Sequence, residues 1–219
     1  DVARNLARWT DAIVARTYTQ ETIEELARWS GLPVVNALSD LYHPCQALAD
    51  MLTLREHFGR LRGLKLAYVG DGNNVAHSLL LCAARLGIHM SVATPAGYGP
   101  KTQVLEQAAE FAASSGAEIE ISNDPAQVVK FAQAVYTDVW ASMGQEDEAE
   151  ERKKLFAPYQ VNDALLADAR KDAVFMHCLP AKRGLEVTDE VMESPRCVAF
   201  DQAENRLHVQ KAVFLMLLQ

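Results

Sequence analysis

The chain has 219 residues, of which 49% are apolar and 23% charged, a globular composition far from disordered, collagenous or disulfide-scaffold sequences. Lys and Arg number 21 against 29 Asp and Glu, a net charge of −8, and the scattered basic residues form no stripe for a nucleic-acid backbone. The longest apolar run, residues 213–218, is far too short to cross a bilayer, so neither nucleic acid nor membrane is expected as a partner.

Short β-rich runs alternate with stretches of helical period. Strands are predicted at residues 12–15, 34–37, 64–69, 88–93, 118–121, 134–139, 173–176 and 197–200. Helices are predicted at 21–29, 75–86, 102–114 and 162–170, with another that opens at Pro44 and is capped by Gly59. This alternation implies an α/β fold of two doubly wound parallel-sheet domains, in which ligands gather at the carboxyl ends of strands. The boundary falls near residues 58–63. Residues 1–58 hold two strands, too few for an independent sheet, so the first domain is expected to be incomplete. The second spans 59–202, and a last helix, 203–219, is expected to pack back on the first. The chain starts at Asp1 rather than Met, so Asp1 is not expected to be the natural start. The charged stretch 146–154 sets Glu148 four residues before Arg152 and Glu150 four before Lys154, the pattern of an exposed helix with a solvated face.

Cys45, Cys82, Cys178 and Cys197 include no Cys-x-x-Cys pair, which argues against a zinc site and suits a reducing, cytoplasmic setting. Cys82, in an apolar helical run, reads as a core residue, and Cys45 as helix packing.

Four segments carry chemistry. Tyr42-His43-Pro44-Cys45-Gln46 opens a helix and holds His43 and Gln46 one turn apart at its N-terminus, a geometry suited to an anion or a carbonyl. The turn from Gly70 to His77 begins like a dinucleotide fingerprint, but Val75 stands where its third glycine belongs. Its Asn73 and Asn74 suit a small polar ligand instead. Asp138, at the end of an apolar strand and followed by Ser142-Met143-Gly144, could hold an ammonium while loop N–H groups hold a carboxylate. His177-Cys178-Leu179-Pro180 places a thiol at another strand end.

Taken in order with Ala203-Glu204-Asn205-Arg206, these segments resemble ornithine carbamoyltransferases of the aspartate/ornithine carbamoyltransferase family along essentially the whole chain. Ser142-Met143-Gly144 and Cys178 are the elements that separate this resemblance from the aspartate-specific relatives. The resemblance implies transfer of a carbamoyl group from carbamoyl phosphate to the side-chain amine of L-ornithine, giving citrulline and phosphate, with no cofactor and no metal. It assigns Arg16, His43, Gln46, Arg206 and the Cys178-Leu179 segment to carbamoyl phosphate, and Asn74, Asp138, Ser142 and Met143 to ornithine. Arg16, His43, Asp138 and Cys178 take the catalytic roles, Cys178 as proton acceptor. A homotrimer, or a multiple of trimers, is the implied assembly.

The chemistry needs such groups. An alkyl amine with a pKa of about 10.4 is neutral roughly once in 2,500 molecules at pH 7, equivalent to about 4.6 kcal/mol. An unperturbed thiol, at about 8.5, gives a few per cent thiolate and is one candidate base; the substrate phosphate is another. The family's Ser-x-Arg-Thr-Arg phosphate anchor is absent, since Arg16-Thr17 lacks the preceding serine. The chain made alone is therefore expected to be a poor or inactive catalyst. Other readings left open are a nucleotide-binding oxidoreductase domain, a carbamoyltransferase of putrescine or acetylornithine, and a non-catalytic amino-acid-binding fragment.

Overall fold

A computed structural model of the chain describes residues 1–141 and 146–218. Their helices and strands run α1 (Val2–Leu6), β1 (Ile13–Arg16), α2 (Gln20–Ser30), β2 (Val34–Leu38), α3 (Pro44–Phe58), β3 (Lys65–Val69), α4 (Asn74–Leu86), β4 (His89–Ala93), α5 (Thr102–Ser115), β5 (Ile119–Ser122) and α6 (Pro125–Val129). They continue with β6 (Ala134–Thr137), α7 (Ala149–Phe156), α8 (Asp163–Ala167), β7 (Val174–His177), α9 (Asp189–Met192) and α10 (Ala199–Leu217). No helix among the described residues is long and apolar enough to cross a membrane.

Strands β1 and β2 pair in parallel, and the other five form one parallel sheet in the order β5-β4-β3-β6-β7. The chain enters this sheet at its centre with β3, winds outward through β4 and β5, then returns to the other flank of β3 with β6 and β7. Right-handed crossovers running in opposite directions place their helices on opposite faces. Leu66 and Tyr68 of β3 accordingly pack with Met51 of α3, Leu79 of α4 and Val104 of α5. Ala67 and Val69 face Val128 and Val129 of α6, Leu166 of α8 and Val191 of α9. A strand covered on both faces has no reason to alternate in polarity, which is why β3 reads as a nearly unbroken apolar run. Between β3 and β6 the winding reverses, and a crevice opens at their carboxyl ends.

Local signals set the ends of the elements around that crevice. Asn73 caps α4, its Oδ1 accepting from the amides of Val75 (3.0 Å) and Ala76 (3.2 Å). Pro44 occupies the first turn of α3, and Gly59, at φ 72°, closes it. The strand expected at 197–200 is not formed. Cys197 makes a single parallel bridge with Phe175, and the amide of Val198 donates to the Phe175 carbonyl before the chain turns into α10 at Ala199. The last helix thus starts four residues earlier than residue 203, and it lies against α3. Gln202 Nε2 donates to Asp50 Oδ1 at 2.6 Å, and Asn205 Nδ2 donates to Thr53 Oγ1 at 3.0 Å and Glu56 Oε2 at 2.7 Å. Cys45 is buried, and Cys82 packs against the core at its margin.

Gly72 has a steric reason of its own. A Cβ there would stand 2.4 Å from Gly99 C and Pro100 N and 2.6 Å from Tyr98 O, and its amide donates to Tyr98 O at 2.8 Å. The second glycine of the Gly-x-Gly turn therefore serves the approach of the 97–100 loop, which lines the crevice. Gly72→Ala is expected to push that loop away at an overpacking cost of about 1–3 kcal/mol. Urea denaturation checks this, and an unchanged midpoint would contradict it.

Candidate active site

The crevice is a cleft of about 850 Å³ whose wall includes Arg16, His43, Asn74, Asp138, Cys178, Leu179 and Arg206. Residues from both ends of the chain thus meet at the switch point. Cationic groups line the cleft. Arg16 ends β1, Arg206 lies on α10, and among the described residues neither makes an ion pair. Arg206 Nε and His43 Nδ1 are buried without a hydrogen-bond partner among those residues. His43 is 6% exposed, and its main-chain amide donates to Ser78 Oγ at 2.7 Å. Burial, then the charges of Arg206 and Arg16, push its imidazole down to about 4. At neutral pH it is an uncharged ring at the N-terminus of α3 near two guanidinium groups, an arrangement that favours an anion carrying a carbonyl.

The same cleft also carries buried acidic groups. Asp138 is buried where β6 has ended; its Oδ2 accepts from Asn73 Nδ2 at 2.7 Å and its Oδ1 from the Val139 amide at 2.8 Å. Cys178 Sγ donates to the same Oδ1 at 2.9 Å. Burial and the Asp138 charge hold the Cys178 thiol well above its ordinary pKa. This corrects the expectation of a few per cent thiolate, because an unperturbed thiol has neither low-dielectric surroundings nor a carboxylate beside it. Asn74 lines the cleft and donates through Nδ2 to the Ser39 carbonyl at 2.7 Å.

His177 anchors the loop that carries Cys178. Its Nδ1 accepts from the Leu179 amide at 2.8 Å, which leaves the proton on Nε2, facing Glu186 Oε1 at 3.3 Å. Leu179 itself has φ 58°, rare for a bulky residue and stable only where surrounding contacts enforce it. Ligand atoms of Asp138, His177 and Cys178 lie within 4.8 Å of one another. Both ring nitrogens of His177 are already engaged, however, and the thiol already donates to the carboxylate, so a metal ion would have to break that arrangement to bind.

One of the expected site residues lies elsewhere. Gln46 is buried behind the cleft wall, with its amide donating to Asp50 Oδ1 at 2.8 Å. Ser142 and Met143, with Gly144, fall outside the described residues. Several residues of the cleft wall were not expected there, among them Tyr98, Lys101 and Arg152. Arg152, expected on a solvated helix face, has only 6% of its side chain exposed. Its Nη1 bonds Asp71 Oδ2 and the Trp140 carbonyl, each at 2.9 Å, and its Nε bonds Glu148 Oε2 at 3.0 Å. The guanidinium also sits 4.9 Å from the Tyr98 ring centre. The Glu148–Arg152 spacing was the visible signal. The second carboxylate, 81 positions upstream, was not.

Arg152→Met should cost about 3–5 kcal/mol in denaturation experiments by leaving the Asp71 carboxylate buried and unpaired, and adding Asp71→Leu should recover part of that loss. His43 sets a pH dependence. Unfolded, it takes a proton near 6.5; folded, only near 4. Stability should therefore fall by about 3 kcal/mol as pH drops through that window. His43→Asn should remove this component from the stability–pH curve; an unaltered slope would contradict it.

Two family models match the chain: the carbamoyl-P binding domain of aspartate/ornithine carbamoyltransferase over residues 1–56, and the Asp/Orn binding domain of the same family over residues 62–217. The ornithine carbamoyltransferase of Thermococcus kodakarensis is 56% identical over 218 residues, covering 100% of this chain and 69% of its own length. The solved ornithine carbamoyltransferase of Pyrococcus furiosus superposes with a TM-score of 0.95 at 56% identity, over 99% of this chain and 69% of that one. That of Gloeobacter violaceus gives 0.94 at 52% identity, over 100% of this chain and 74% of that one. With both family domains matched in order and the cleft formed where their residues meet, the chain belongs to the aspartate/ornithine carbamoyltransferase family.

Proposed function

We propose that the chain transfers the carbamoyl group of carbamoyl phosphate to the side-chain amine of L-ornithine, giving L-citrulline and phosphate. The observation that carries this reading is the pairing of unlike groups in one cleft: Arg16 and Arg206, without an ion pair among the described residues, near a neutral His43, together with the Asp138–Cys178 pair. The phosphate-bearing end is assigned to Arg16 and the N-terminus of α3; Leu179 of the cleft wall, and Gln46 one turn further along α3 behind that wall, are assigned to carbamoyl phosphate as well. His43 and Arg206 are donors for the carbamoyl oxygen, whose negative charge grows as the amine attacks. Asp138 receives the side-chain ammonium, and Asn74, Ser142 and Met143 take the α-amino and carboxylate groups.

One proton leaves the ammonium to solvent and frees the nitrogen lone pair; the new N–C bond then forms as the C–O bond to phosphate breaks, and a second proton must leave the same nitrogen. A thiol already donating to Asp138 cannot accept that proton as it stands, which favours a phosphate oxygen as the final acceptor. Cys178 then orients Asp138. The division into residues 1–58 for carbamoyl phosphate and 59–202 for ornithine is supported by the two matched family segments. A homotrimer, or a multiple of trimers, is assigned from family membership, and a cytoplasmic setting from the four free cysteines as well.

The relative rates of citrulline-type product formation from ornithine, putrescine and N-acetylornithine, each with carbamoyl phosphate, test the assignment whatever the absolute rate. Ornithine should be preferred at least tenfold; faster turnover of either other amine would replace it. Asp138→Asn should lower kcat/KM by about 100-fold or more. Cys178→Ser, which keeps a donor to Asp138, should retain more activity than Cys178→Ala, and equal losses would return the base role to the thiolate.

A further inference from the structure

Behind the cleft wall lies a buried polar network that the transfer itself does not use. Asp50, fully buried on α3, accepts through Oδ1 from Gln46 Nε2 at 2.8 Å and from Gln202 Nε2 at 2.6 Å. Gln202, equally buried on α10, donates its second N–H to Tyr136 Oη at 3.0 Å and accepts from the His177 amide at 3.1 Å. One side-chain amide therefore ties α3 to the ends of β6 and β7, one residue before Cys178. Every hydrogen-bonding valence of that amide but one lone pair is used, and the groups it joins come from opposite ends of the chain.

We propose that Asp50 and Gln202 are positioning residues for carbamoyl transfer, holding Gln46 on α3 and Cys178 after β7 in fixed register. The inference rests on the site roles given to Gln46 and Cys178 above. Apolar side chains would fill the same space, but only directional hydrogen bonds fix the rotation of the Gln46 amide and the height of the His177 peptide. Gln46 Oε1 and Asp50 Oδ2 are buried without a partner among the described residues, so the Gln46 amide is held from its nitrogen side alone.

The network is also electrically coupled to the thiol. Burial pushes the Asp50 carboxyl up to about 7, against hydrogen bonds from Gln46, Gln202 and Tyr136 and the charge of Arg206. The titratable groups facing it are Arg206 on α10, Tyr136 on β6, Cys178 after β7 and Cys82 on α4. Ionised Asp50 raises the Cys178 thiol further, so the carboxyl is felt at the site wall.

Iodoacetamide alkylation of Cys178, followed by peptide mass spectrometry from pH 6 to 9 with Cys197 as internal reference, tests the proposal. Asp50→Asn keeps the acceptor for both amides and removes the charge. It should speed Cys178 alkylation several-fold at pH 8.5, with the difference vanishing near pH 6, where the native carboxyl is protonated. Gln202→Met should speed it several-fold at every pH by freeing the 177–178 peptide, with Cys197 unchanged. Should Gln202→Met fail to fold, Asp50→Leu, which removes the acceptor for both amides, takes its place and should speed alkylation even near pH 6. Wild-type alkylation profiles in the folded variants would overturn the proposal. Failure of citrulline formation by the unsubstituted chain would bear on the reaction instead and leave this readout intact.

Discussion

The reversal of winding between β3 and β6 is the constraint on which the rest depends. Because the crossovers on either side run in opposite directions, α4 and α5 cover one face of the sheet and α6 and α8 the other. No helix can close the gap between the two central strands at their carboxyl ends. The turn after β3 and the segment after β6 meet there, which brings Asn73 to Asp138 at 2.7 Å. The β7 end supplies Cys178 one strand further along. The acidic part of the cleft thus follows from strand order, with each polar residue standing at a point where an apolar strand stops.

The cationic part has a different origin. Arg16, His43 and Arg206 belong to β1, the start of α3 and α10, and what brings the last of these to the others is the packing of α10 on α3. That contact is polar at its centre, through Asp50, Gln202, Asn205 and Thr53. Buried polar contacts add little net stability, since desolvation offsets most of their attraction. Their directionality is what they contribute, and here it acts between the two sides of a cleft. The same logic holds for Arg152, whose bonds to Asp71 and Trp140 fasten α7 to the β3 turn.

Charge and burial also decide protonation. His43 is kept neutral by burial and two nearby guanidinium groups, and Cys178 is kept protonated by burial and a carboxylate. Each residue type has an ordinary pKa near neutrality, and each is moved away from it by its neighbours. A neutral imidazole can donate to a carbonyl oxygen without competing for the anion. A protonated thiol can hold Asp138 in place until an ammonium arrives.

The amino-acid sequence makes legible the α/β class, most strand and helix cores, the two ends of α3 at Pro44 and Gly59, and the motif set that marks the family, whereas Asn73, read as a ligand-binding residue, caps α4. These signals are local: apolar periodicity, turn chemistry and short motifs depend on residues within a few positions of one another. It misplaced 197–200 as a strand, because an apolar run there also fits the first turn of a helix. It read Arg152 as solvated, because the spacing to Glu148 is shared by exposed and buried helices alike. The Asp71 partner, the buried Gln46 amide, the neutral His43 and the raised Cys178 thiol were decided by the tertiary structure alone. Each depends on desolvation or on a charge brought from a distant part of the chain, and neither is written in the spacing of neighbouring residues.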